Sequence, residues 1–372
     1  MSEVRFAAAV CTYKRPRLLE KLLDDLALQE TVPDVLIVVD GAPEDPEISR
    51  LLEDWAMRTQ KQAVYQPSQH ANLAYQRYLA WLNAARMSVE YLLYFDDDLR
   101  LRNSAIVRDM LGIMKTKTCA AGLTVSLKFT DSGKLSGHDV LSDQKKTKTP
   151  WTNSVFLKLF QSSRTASPGG LSAAGHRLPL RQIPGQMIYE TQWLRGGVMF
   201  YRMSVLNESC YSDDLFALTA RGCGLGEDTY LSRRAGRAGK LLLLESEGIE
   251  HPGEALPCAY PIRPFRFGFA SAYSRRFLND HYRGDRRPSF CDRLNLLKSY
   301  AGGALVFLTR LFAAPSLARL QGFLGYGAGA VLGLIVPPRS WLLAPRVDWR
   351  GDAQRDLTRR KNLQSEYLGG AE

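Results

Sequence analysis

The chain has 372 residues, of which 45% are hydrophobic and 23% are charged, and this balance excludes an intrinsically disordered protein. Its six cysteines are scattered without a CxxC pair, which excludes a disulfide-rich scaffold and favours a reducing, cytoplasmic compartment. The formal net charge is +11, and residues 251–350 hold 14 Lys or Arg against 5 Asp or Glu. We therefore expect an anionic partner, either nucleic acid or anionic lipid.

The first 125 residues alternate short apolar runs with segments of helical periodicity. Strands are predicted at residues 4–11, 34–40, 61–66 and 91–95. Strands that alternate with helices in this way are typical of a parallel α/β sheet with both faces covered. Functional groups collect at the carboxyl ends of such strands, so the sequence predicts a site around Thr12, Asp40 and the triplet Asp96 to Asp98.

The middle of the chain is less regular. Residues 127–184 are rich in Ser, Lys, Gly and Thr, which predicts loops and short strands over the sheet, including a mobile lid. Further strands are predicted at residues 198–201 and 241–246, and a helix is predicted to begin near Asp228.

Beyond Pro261 the sequence mixes arginine with aromatic and strongly apolar segments. The longest charge-free stretch, residues 320–338, is interrupted by glycines and ends in Pro-Pro. A spanning helix needs roughly 20 apolar residues of higher hydrophobicity. The pattern therefore favours two helices that lie in a membrane interface, with a buried hairpin or a true spanning segment as the alternatives.

Three adjacent carboxylates, Asp96, Asp97 and Asp98, follow the apolar run at residues 91–95. Like charges at the end of a buried strand repel one another and are costly to desolvate. A divalent cation removes that cost, and Asp96 and Asp98 can face the same side and share Mg²⁺ or Mn²⁺ with a diphosphate. The alternative is a solvated acidic loop.

A second acidic pair, Glu227 and Asp228, follows the Gly-Leu-Gly segment at residues 224–226. Backbone can approach a ligand closely at such glycines. Asp228 is a candidate general base that would take a proton from an attacking hydroxyl. The alternative is a carboxylate that complements the dipole at a helix N-terminus, and the two interpretations are compatible.

Six segments, in their order along the chain, resemble one protein family. They are AAAVCTYKRPRLLEKLLDDL, VLIVVDGAPED, QHANLAYQRYLAWLNAA, YLLYFDDDLRL, WLRGGVMFYR and GLGEDTYLSRRAGRAGK. Over residues 4–255 the chain is similar to inverting family 2 glycosyltransferases of the GT-A fold, as in bacterial surface-polysaccharide assembly. The resemblance implies the Rossmann-like mixed α/β sheet of nucleotide-diphospho-sugar transferases, followed here by a mainly helical C-terminal region.

The resemblance also implies roles for individual residues. Those assigned to nucleotide-sugar binding are Thr12, Tyr13, Arg15, Asp40, Asn72, Arg77 and Asp97. The implied metal ligands are Asp96, Asp98 and His251, the catalytic residues are Asp228 and Glu227, and the sugar and acceptor side holds Trp193, Gly196 and Gly197. The chain departs from the family at Gly41-Ala42-Pro43, where Asn-Gly-Ser is frequent, and at Ala74, where Gly is frequent.

The sequence thus predicts a GT-A domain at residues 1–260, a basic amphipathic helical region that associates with membrane at 261–350, and a polar tail at 351–372. We expect a metal-dependent inverting enzyme that transfers a hexosyl, rhamnosyl or galactofuranosyl group from a nucleotide-diphosphate donor. The expected acceptor is a hydroxyl of a lipid-linked glycan in cell-surface polysaccharide or glycolipid assembly. The protein would attach peripherally to the anionic inner face of the cell membrane, and no nucleic-acid partner is expected.

Two other functions stay open on the sequence. A nucleotidyltransferase also uses an α/β sheet with acidic metal ligands, but it would need a Gly-rich phosphate loop after the first strand, where TYKRP has no glycine. A nucleic-acid-binding protein could use the arginines interleaved with aromatics in RPFRFGFASAYSRRF, although the neighbouring Gly-rich apolar helices suit lipid better.

Overall fold

The computed structural model describes residues 5–44, 46–130, 159–160, 169–171, 177, 185–252, 263–282, 289–336 and 347–368. Most of the segment 127–184, for which the sequence predicts loops and a lid, lies outside these described residues, as does the predicted domain boundary at 260–261.

The described strands form two sheets. They are β1 (Phe6–Thr12), β2 (Val35–Asp40), β3 (Gln62–Pro67), β4 (Tyr91–Asp96), β5 (Arg100–Leu101), β6 (Ala120–Val125), β7 (Lys128–Thr130), β8 (Ile188–Thr191), β9 (Val198–Arg202), β10 (Lys240–Leu244) and β11 (Ile249–Pro252). The larger sheet has eight strands in the order β3-β2-β1-β4-β9-β6-β10-β8, and the smaller one has the order β5-β11-β7. The larger sheet is mixed, because β9 runs antiparallel to β4 and β6 while β3, β2, β1 and β4 are parallel.

The described α-helices cover this sheet and then form the C-terminal region. They are α1 (Pro16–Ala27), α2 (Glu47–Thr59), α3 (Leu73–Arg86), α4 (Ile106–Thr116), α5 (Asp213–Ala220), α6 (Glu227–Ala235), α7 (Pro264–Tyr282), α8 (Phe290–Ala313), α9 (Leu317–Ile335) and α10 (Trp349–Leu368). Their ends follow local chemistry: α1 has Pro16 in its first turn, and α3 is capped by Asn72, whose side chain accepts a hydrogen bond from the Tyr75 N–H.

The core is divided by the sheet into two layers. Along β1, Ala7 and Ala9 belong to one buried cluster, while Phe6, Ala8 and Val10 belong to the other. Side chains alternate between the two faces of a strand, so a strand that is apolar on both faces must be covered on both. The first layer is completed by α3, α5, α6 and α7, and the second by α1, α2 and α4.

The pairing register brings the predicted functional strand ends together. Thr12 at the end of β1 pairs with Asp40 at the end of β2, and Cys11 pairs with Asp96 at the end of β4. Because these strands are parallel neighbours, Thr12, Asp40 and Asp96 lie at one edge of the sheet, as the sequence predicts.

The C-terminal helices α7, α8 and α9 pack beside the sheet. One side of α7 joins the core through Tyr273 and Phe277, and its other side joins a separate cluster with Tyr300 and Tyr326 of α8 and α9. Of the helices described, α8 is long and apolar enough to cross a membrane, with a mean hydropathy of 1.2 in its most apolar window, 28% of which is buried. Length and composition alone make this weak evidence for a spanning segment.

The segment 351–372, for which the sequence predicts a polar tail, begins within helix α10. Helix α10 places Trp349, Ala353 and Leu357, spaced by four residues, in the core beside α3. This spacing gives one apolar helix face, although the polar residues between these three positions conceal it in the sequence.

The predicted fold class is confirmed by the strand order and the helices. The chain has an α/β fold with a Rossmann-like mixed sheet of the GT-A type and a mainly helical C-terminal region.

Candidate active site

The acidic triplet lies at the end of β4, and the side chains of Asp97 and Asp98 point in different directions. Asp97 is buried, accepts a hydrogen bond of 2.8 Å from the Thr12 hydroxyl and lies 3.1 Å from Arg15 Nη2. Burial raises the pKa of Asp97 to about 7, although the Arg15 charge opposes the rise. Asp97 therefore fastens the end of β4 to that of β1, and its contacts are structural rather than aimed at the open edge.

Asp98 points toward the small sheet, where β11 carries His251. Asp98 Oδ1 lies 3.6 Å from His251 Nε2, which is longer than a hydrogen bond, and this oxygen is buried without a hydrogen-bond partner in the part of the chain that the structure describes. The other oxygen, Oδ2, lies 3.4 Å from Arg15 Nη1. A buried carboxylate oxygen left unsatisfied beside an imidazole fits a place for a cation.

The same donor set limits what could hold a metal ion. Among the described residues, no group of three or more His, Cys, Asp or Glu side chains is arranged to hold a metal ion alone. Asp98 and His251, whose Oδ1 and Nε2 atoms lie 3.6 Å apart, thus supply only part of a ligand set, whose remaining positions would be filled by another carboxylate, by water or by phosphate oxygens, as is usual for Mg²⁺.

Arg77 connects the two acidic pairs of the site. Its buried guanidinium lies 3.1 Å from Asp96 Oδ1 and 3.0 Å from Glu227 Oε1, and it donates to the Gly196 carbonyl at 3.0 Å. Burial raises the pKa of the Glu227 carboxyl, as does the neighbouring Asp228, while Arg77 opposes the rise. One cation on α3 therefore brings β4 and the start of α6 together.

Asp228 is buried at the start of α6, and all its carboxylate positions are in use. Oδ1 accepts from the Thr229 N–H at 2.7 Å and from the Thr229 hydroxyl at 3.2 Å. Oδ2 accepts from the Gly196 N–H at 3.1 Å and from Arg177 Nη1 at 2.7 Å. Since each oxygen has two lone pairs, an incoming hydroxyl can reach Oδ2 only by displacing one of these donors.

Arg177 is the donor that can leave. Its side chain is 41% exposed and lies over the buried ring of Trp193, with 5.2 Å from Cζ to the ring centroid. The Arg177 end of this ion pair reaches solvent, so an acceptor that approaches the buried Asp228 from that side would take the place of Arg177. Trp193, predicted for the acceptor side, is buried and meets Asp228 only through Arg177.

Gly196 and Gly197 allow the carboxylates to approach the loop before β9. A Cβ atom at Gly196 would lie 3.2 Å from Asp228 Oδ2, and one at Gly197 would lie 3.2 Å from Leu127 Cδ1 and 3.6 Å from Asp96 Oδ2. The Gly197 carbonyl accepts a hydrogen bond from the Asp96 N–H at 3.0 Å. A side chain at Gly196 would press on Asp228.

The residues predicted for nucleotide binding are placed unevenly around the edge. The buried Asp40 carboxylate accepts from the Ala42 N–H at 2.8 Å and from the Tyr65 hydroxyl at 3.1 Å. Tyr13 lies at the same edge, and a Cβ atom at Gly41 would be 3.2 Å from its ring. Asn72 instead caps α3 and donates to the Phe216 carbonyl at 2.8 Å. Both polar ends of Asn72 are therefore engaged within the protein, which does not favour a nucleotide contact.

Sequence reasoning missed two residues of the site. Gln76 is buried and donates to the carbonyls of Thr12 and Val39, at 2.9 and 3.1 Å, which joins the ends of β1 and β2. The sequence could have indicated Gln76, because a polar residue on the apolar face of a predicted helix is unusual. Arg177 had no signal, because it stands alone in an irregular segment far from Asp228 in the chain.

Comparisons with known proteins find only distant similarities to solved structures. No family model matches the sequence, and no curated protein matches it either. The chain is similar to the solved structure of S. aureus TarS in complex with UDP-GlcNAc, with 13% identity, a TM-score of 0.47, and coverage of 88% of this chain and 91% of that one. It is also similar to the mannosyltransferase PcManGT from Pyrobaculum calidifontis in complex with GDP-Man and Mn²⁺, with 13% identity, a TM-score of 0.44, and coverage of 96% and 88%.

A third similar structure is GalNAc-T7 with UDP, GalNAc and Mn²⁺, with 10% identity and a TM-score of 0.44 over 73% of this chain and 48% of that one. Likenesses this distant do not establish what the chain does. The class of protein rests on its own architecture, which is a GT-A type α/β sheet with an acidic site at the carboxyl edge of its parallel strands.

Proposed function

We propose that this protein is an inverting, metal-dependent glycosyltransferase of the family 2 type, which uses a nucleotide-diphosphate sugar. The observation that carries the proposal is the buried Arg77, whose guanidinium pairs with Asp96 at the end of β4 and with Glu227 at the start of α6, and so joins the two acidic segments at one edge of the sheet. Asp96 and Asp98 would provide a place for a cation with a diphosphate. Asp228, beside Glu227, would provide a place for proton removal.

A divalent cation would be held by Asp96, Asp98 and His251. When bound, Mg²⁺ or Mn²⁺ would neutralise the charge that develops on the diphosphate leaving group. The chain itself orients these ligands, since the Gly197 carbonyl accepts from the Asp96 N–H and Arg15 lies 3.4 Å from Asp98 Oδ2. Thr12, Tyr13 and Asp40 border the adjoining end of the sheet, where the nucleotide would bind.

Asp228 would remove the acceptor proton. The acceptor oxygen forms a bond to the anomeric carbon while the bond from that carbon to the phosphate oxygen breaks, the proton passes to Asp228 Oδ2, and the nucleoside diphosphate leaves. A single displacement of this kind inverts the anomeric configuration. Glu227 would hold Arg77 in place, and a positioned general base contributes about 10²–10⁴-fold in rate.

The acceptor we propose is a hydroxyl of a lipid-linked glycan, in cell-surface polysaccharide or glycolipid assembly at the cytoplasmic face of the membrane. The proposal is supported by the position of α7, which joins the C-terminal helices to the site. A Cβ atom at Gly226, just before α6, would lie 2.9 Å from Leu278 Cδ1 of α7. The sugar transferred is, as a further part of the proposal, a hexosyl, rhamnosyl or galactofuranosyl group.

Slow donor hydrolysis by water tests the proposal without the acceptor. Purified protein is incubated with Mn²⁺ and a series of UDP-, GDP-, dTDP- and CMP-linked sugars, and release of nucleotide is followed by chromatography. We expect one donor to be cleaved, and Asp228→Asn to bind that nucleotide as the wild type does while releasing it about 10²-fold or more slowly.

The matched control is Asp54→Asn, an exposed carboxylate on α2 with 56% of its side chain accessible, which should leave the rate unchanged. Full turnover by Asp228→Asn would remove this residue as the base. Absence of both cleavage and nucleotide binding across the series would overturn the proposed function.

A further inference from the structure

Helix α9 buries small residues and exposes large apolar ones, which is the opposite of the pattern in a core helix of a water-soluble protein. Its buried positions are occupied by small residues, namely Gly322, Gly325, Gly329 and Gly333, together with Tyr326. A Cβ atom at Gly325 would overlap the Phe265 carbonyl oxygen, and one at Gly329 would overlap that of Phe269. The backbones of α7 and α9 are therefore in direct contact, the type of packing that small residues allow between membrane helices.

The large apolar residues of α9 lie on the opposite, outward side. Leu317, Leu324, Val331 and Ile335 are 71%, 53%, 57% and 72% exposed, and Leu320 and Leu334 extend the same stripe. Arg319 is the only charged residue in this helix. A helix that is apolar on both sides is normally surrounded by protein or by lipid, and in the described structure the outward side of α9 meets neither.

Helix α8 adds a second exposed stripe. Phe290, Leu294, Leu297, Leu305 and Phe312 are exposed and recur at helical spacing, while Leu296, Tyr300 and Phe307 on its other side are buried. Helices α8 and α9 are joined by residues 314–316 and pack against each other through Phe307 and Tyr326, whose ring centroids are 4.9 Å apart. We call the exposed apolar side chains of these two helices the hairpin face.

Charge identifies the occupant of the hairpin face. The segment 289–336 holds Arg293, Lys298, Arg310 and Arg319 against one acidic residue, Asp292, and that carboxylate already caps α8 through Ser289. A second copy of this chain would bring the same positive charges together. An anionic bilayer instead offers hydrocarbon for the leucines and phosphates for the arginines and lysine.

The packing of α7 disfavours a spanning orientation of the hairpin. Helix α9 is in contact with α7 from Gly325 to Gly333, whose carbonyl accepts from Arg276 Nη1 at 3.0 Å. Arg275 of α7 likewise donates to the Ser299 hydroxyl of α8 at 2.8 Å. Moving the hairpin across a bilayer would carry these charged residues of α7 with it, at a cost of several kcal/mol.

From these observations we infer that the hairpin face is a membrane-binding surface that lies in the interface of an anionic lipid bilayer and inserts the outward side chains of α8 and α9 into it. Burial of a Leu or Ile side chain stabilises by about 1.5–3 kcal/mol, so a few such residues with Arg293 and Lys298 of α8 suffice for reversible attachment. That this bilayer also delivers the acceptor rests on the proposed function, whereas the lipid contact itself does not.

The test is sedimentation of the full chain with vesicles of phosphatidylglycerol and phosphatidylcholine. We expect binding to the mixed vesicles, weaker binding to phosphatidylcholine alone, and further weakening as salt is raised. The double variant Leu324→Glu, Val331→Glu should lower partition at least ~10-fold. Its matched control is Met57→Glu on α2, an exposed methionine outside the hairpin, which should bind as the wild type does.

Two readouts keep the inference separate from folding and from the proposed activity. Circular dichroism of the double variant should match the wild type, because both substituted residues are exposed, and its binding of nucleoside diphosphate should be retained. Unchanged vesicle binding by the double variant would overturn the inference. So would a dimer of the wild type that the same substitutions dissociate, because a second copy would then occupy the face.

Discussion

Asp97 and Asp98 are neighbours in the chain, yet they have different physical roles. Asp97 turns inward to the Thr12 hydroxyl, whereas Asp98 leaves one oxygen unsatisfied beside His251. Three like charges are tolerated at the end of β4 because two cations face them: Arg77 pairs with Asp96, and Arg15 pairs with both Asp97 and Asp98. The three carboxylates of the triplet thus have different surroundings and do not form one cluster.

Gly196 gives a prediction at the scale of one atom. Gly196→Ala would place a Cβ atom 3.2 Å from Asp228 Oδ2 and 3.3 Å from Asp228 Cβ, and Asp228 is held in place by the Thr229 N–H. We expect the proposed base to be displaced, so that kcat falls roughly tenfold or more while nucleotide affinity is unchanged. Donor-hydrolysis kinetics with separate determination of kcat and KM would measure this.

The control for that variant is Gly112→Ala in α4, where an added Cβ atom meets nothing within 4 Å. It should stabilise the protein by up to about 1 kcal/mol, because alanine favours helix, and should leave kcat unchanged. Equal kcat values for the two variants would show that Gly196 does not position Asp228.

The carboxylates of the site could be predicted from the sequence, but their partners could not. Asp96, Asp98 and Asp228 follow apolar or Gly-rich segments that mark strand ends and helix starts. The Arg77–Glu227 pair joins residues 150 positions apart in the chain, and no local pattern encodes such a distance. The contact of Arg177 with Asp228 is undetectable for the same reason.

Helix α10 belongs to the folded core and holds the loop that follows β3. Asp356 accepts hydrogen bonds from the Tyr75 hydroxyl at 3.0 Å and from the Gln69 N–H at 3.3 Å, and Asp352 Oδ2 lies 2.7 Å from His70 Nε2. This loop leads directly into α3, which carries Arg77. The helix therefore holds the loop that leads into α3 and, through it, the position of Arg77.

Trp349 anchors this helix and gives a prediction for the element. Its ring lies 4.7 Å from that of His70, 5.6 Å from that of Tyr75 and 5.7 Å from that of Phe216, centroid to centroid. Trp349→Ala should lower the free energy of unfolding by about 3–5 kcal/mol, as expected for a buried tryptophan, and should also weaken nucleotide binding because the loop at 68–70 is released.

Denaturant unfolding and nucleotide titration of the same variant would measure both effects. Gln354→Ala, on the exposed side of α10, is the control and should change unfolding by less than about 0.5 kcal/mol. If Trp349→Ala unfolds as the wild type does, α10 does not support the core in solution.

The strands that could be predicted from the sequence share a simple hydrophobic pattern, whereas helix α10 has no such pattern. Strands β1, β2 and β4 are short apolar runs that end in polar residues, and they were predicted within one or two residues. Helix α10 is polar on average, so only its three core positions distinguish it from a tail. Burial of those positions depends on the packing of α10 against α3, which is tertiary structure that local sequence does not encode.

For the whole molecule, helix α7 links two surfaces of different character. One of its sides packs against the core near α6, and the other carries the α8–α9 hairpin. The predicted division at residues 260 and 350 stays a prediction, and both α7 and α10 contribute side chains to the core beside the sheet. A chain arranged in this way would hold a nucleotide site a single helix away from a bilayer.

The central claim, that the carboxyl edge of the sheet binds a nucleoside diphosphate through a metal ion, is tested most directly by thermal unfolding of the full chain. UDP, GDP, dTDP and CMP are each added with and without Mn²⁺, to the wild type and to Asp98→Ala. A ligand that binds only the native state raises the free energy of unfolding by about 2.7 kcal/mol when its concentration is 100 Kd. We predict that one nucleoside diphosphate raises the Tm of the wild type only when Mn²⁺ is present, and that Asp98→Ala, folded without nucleotide, shows no such rise. Equal stabilisation of Asp98→Ala, or no stabilisation by any nucleotide, would contradict the account.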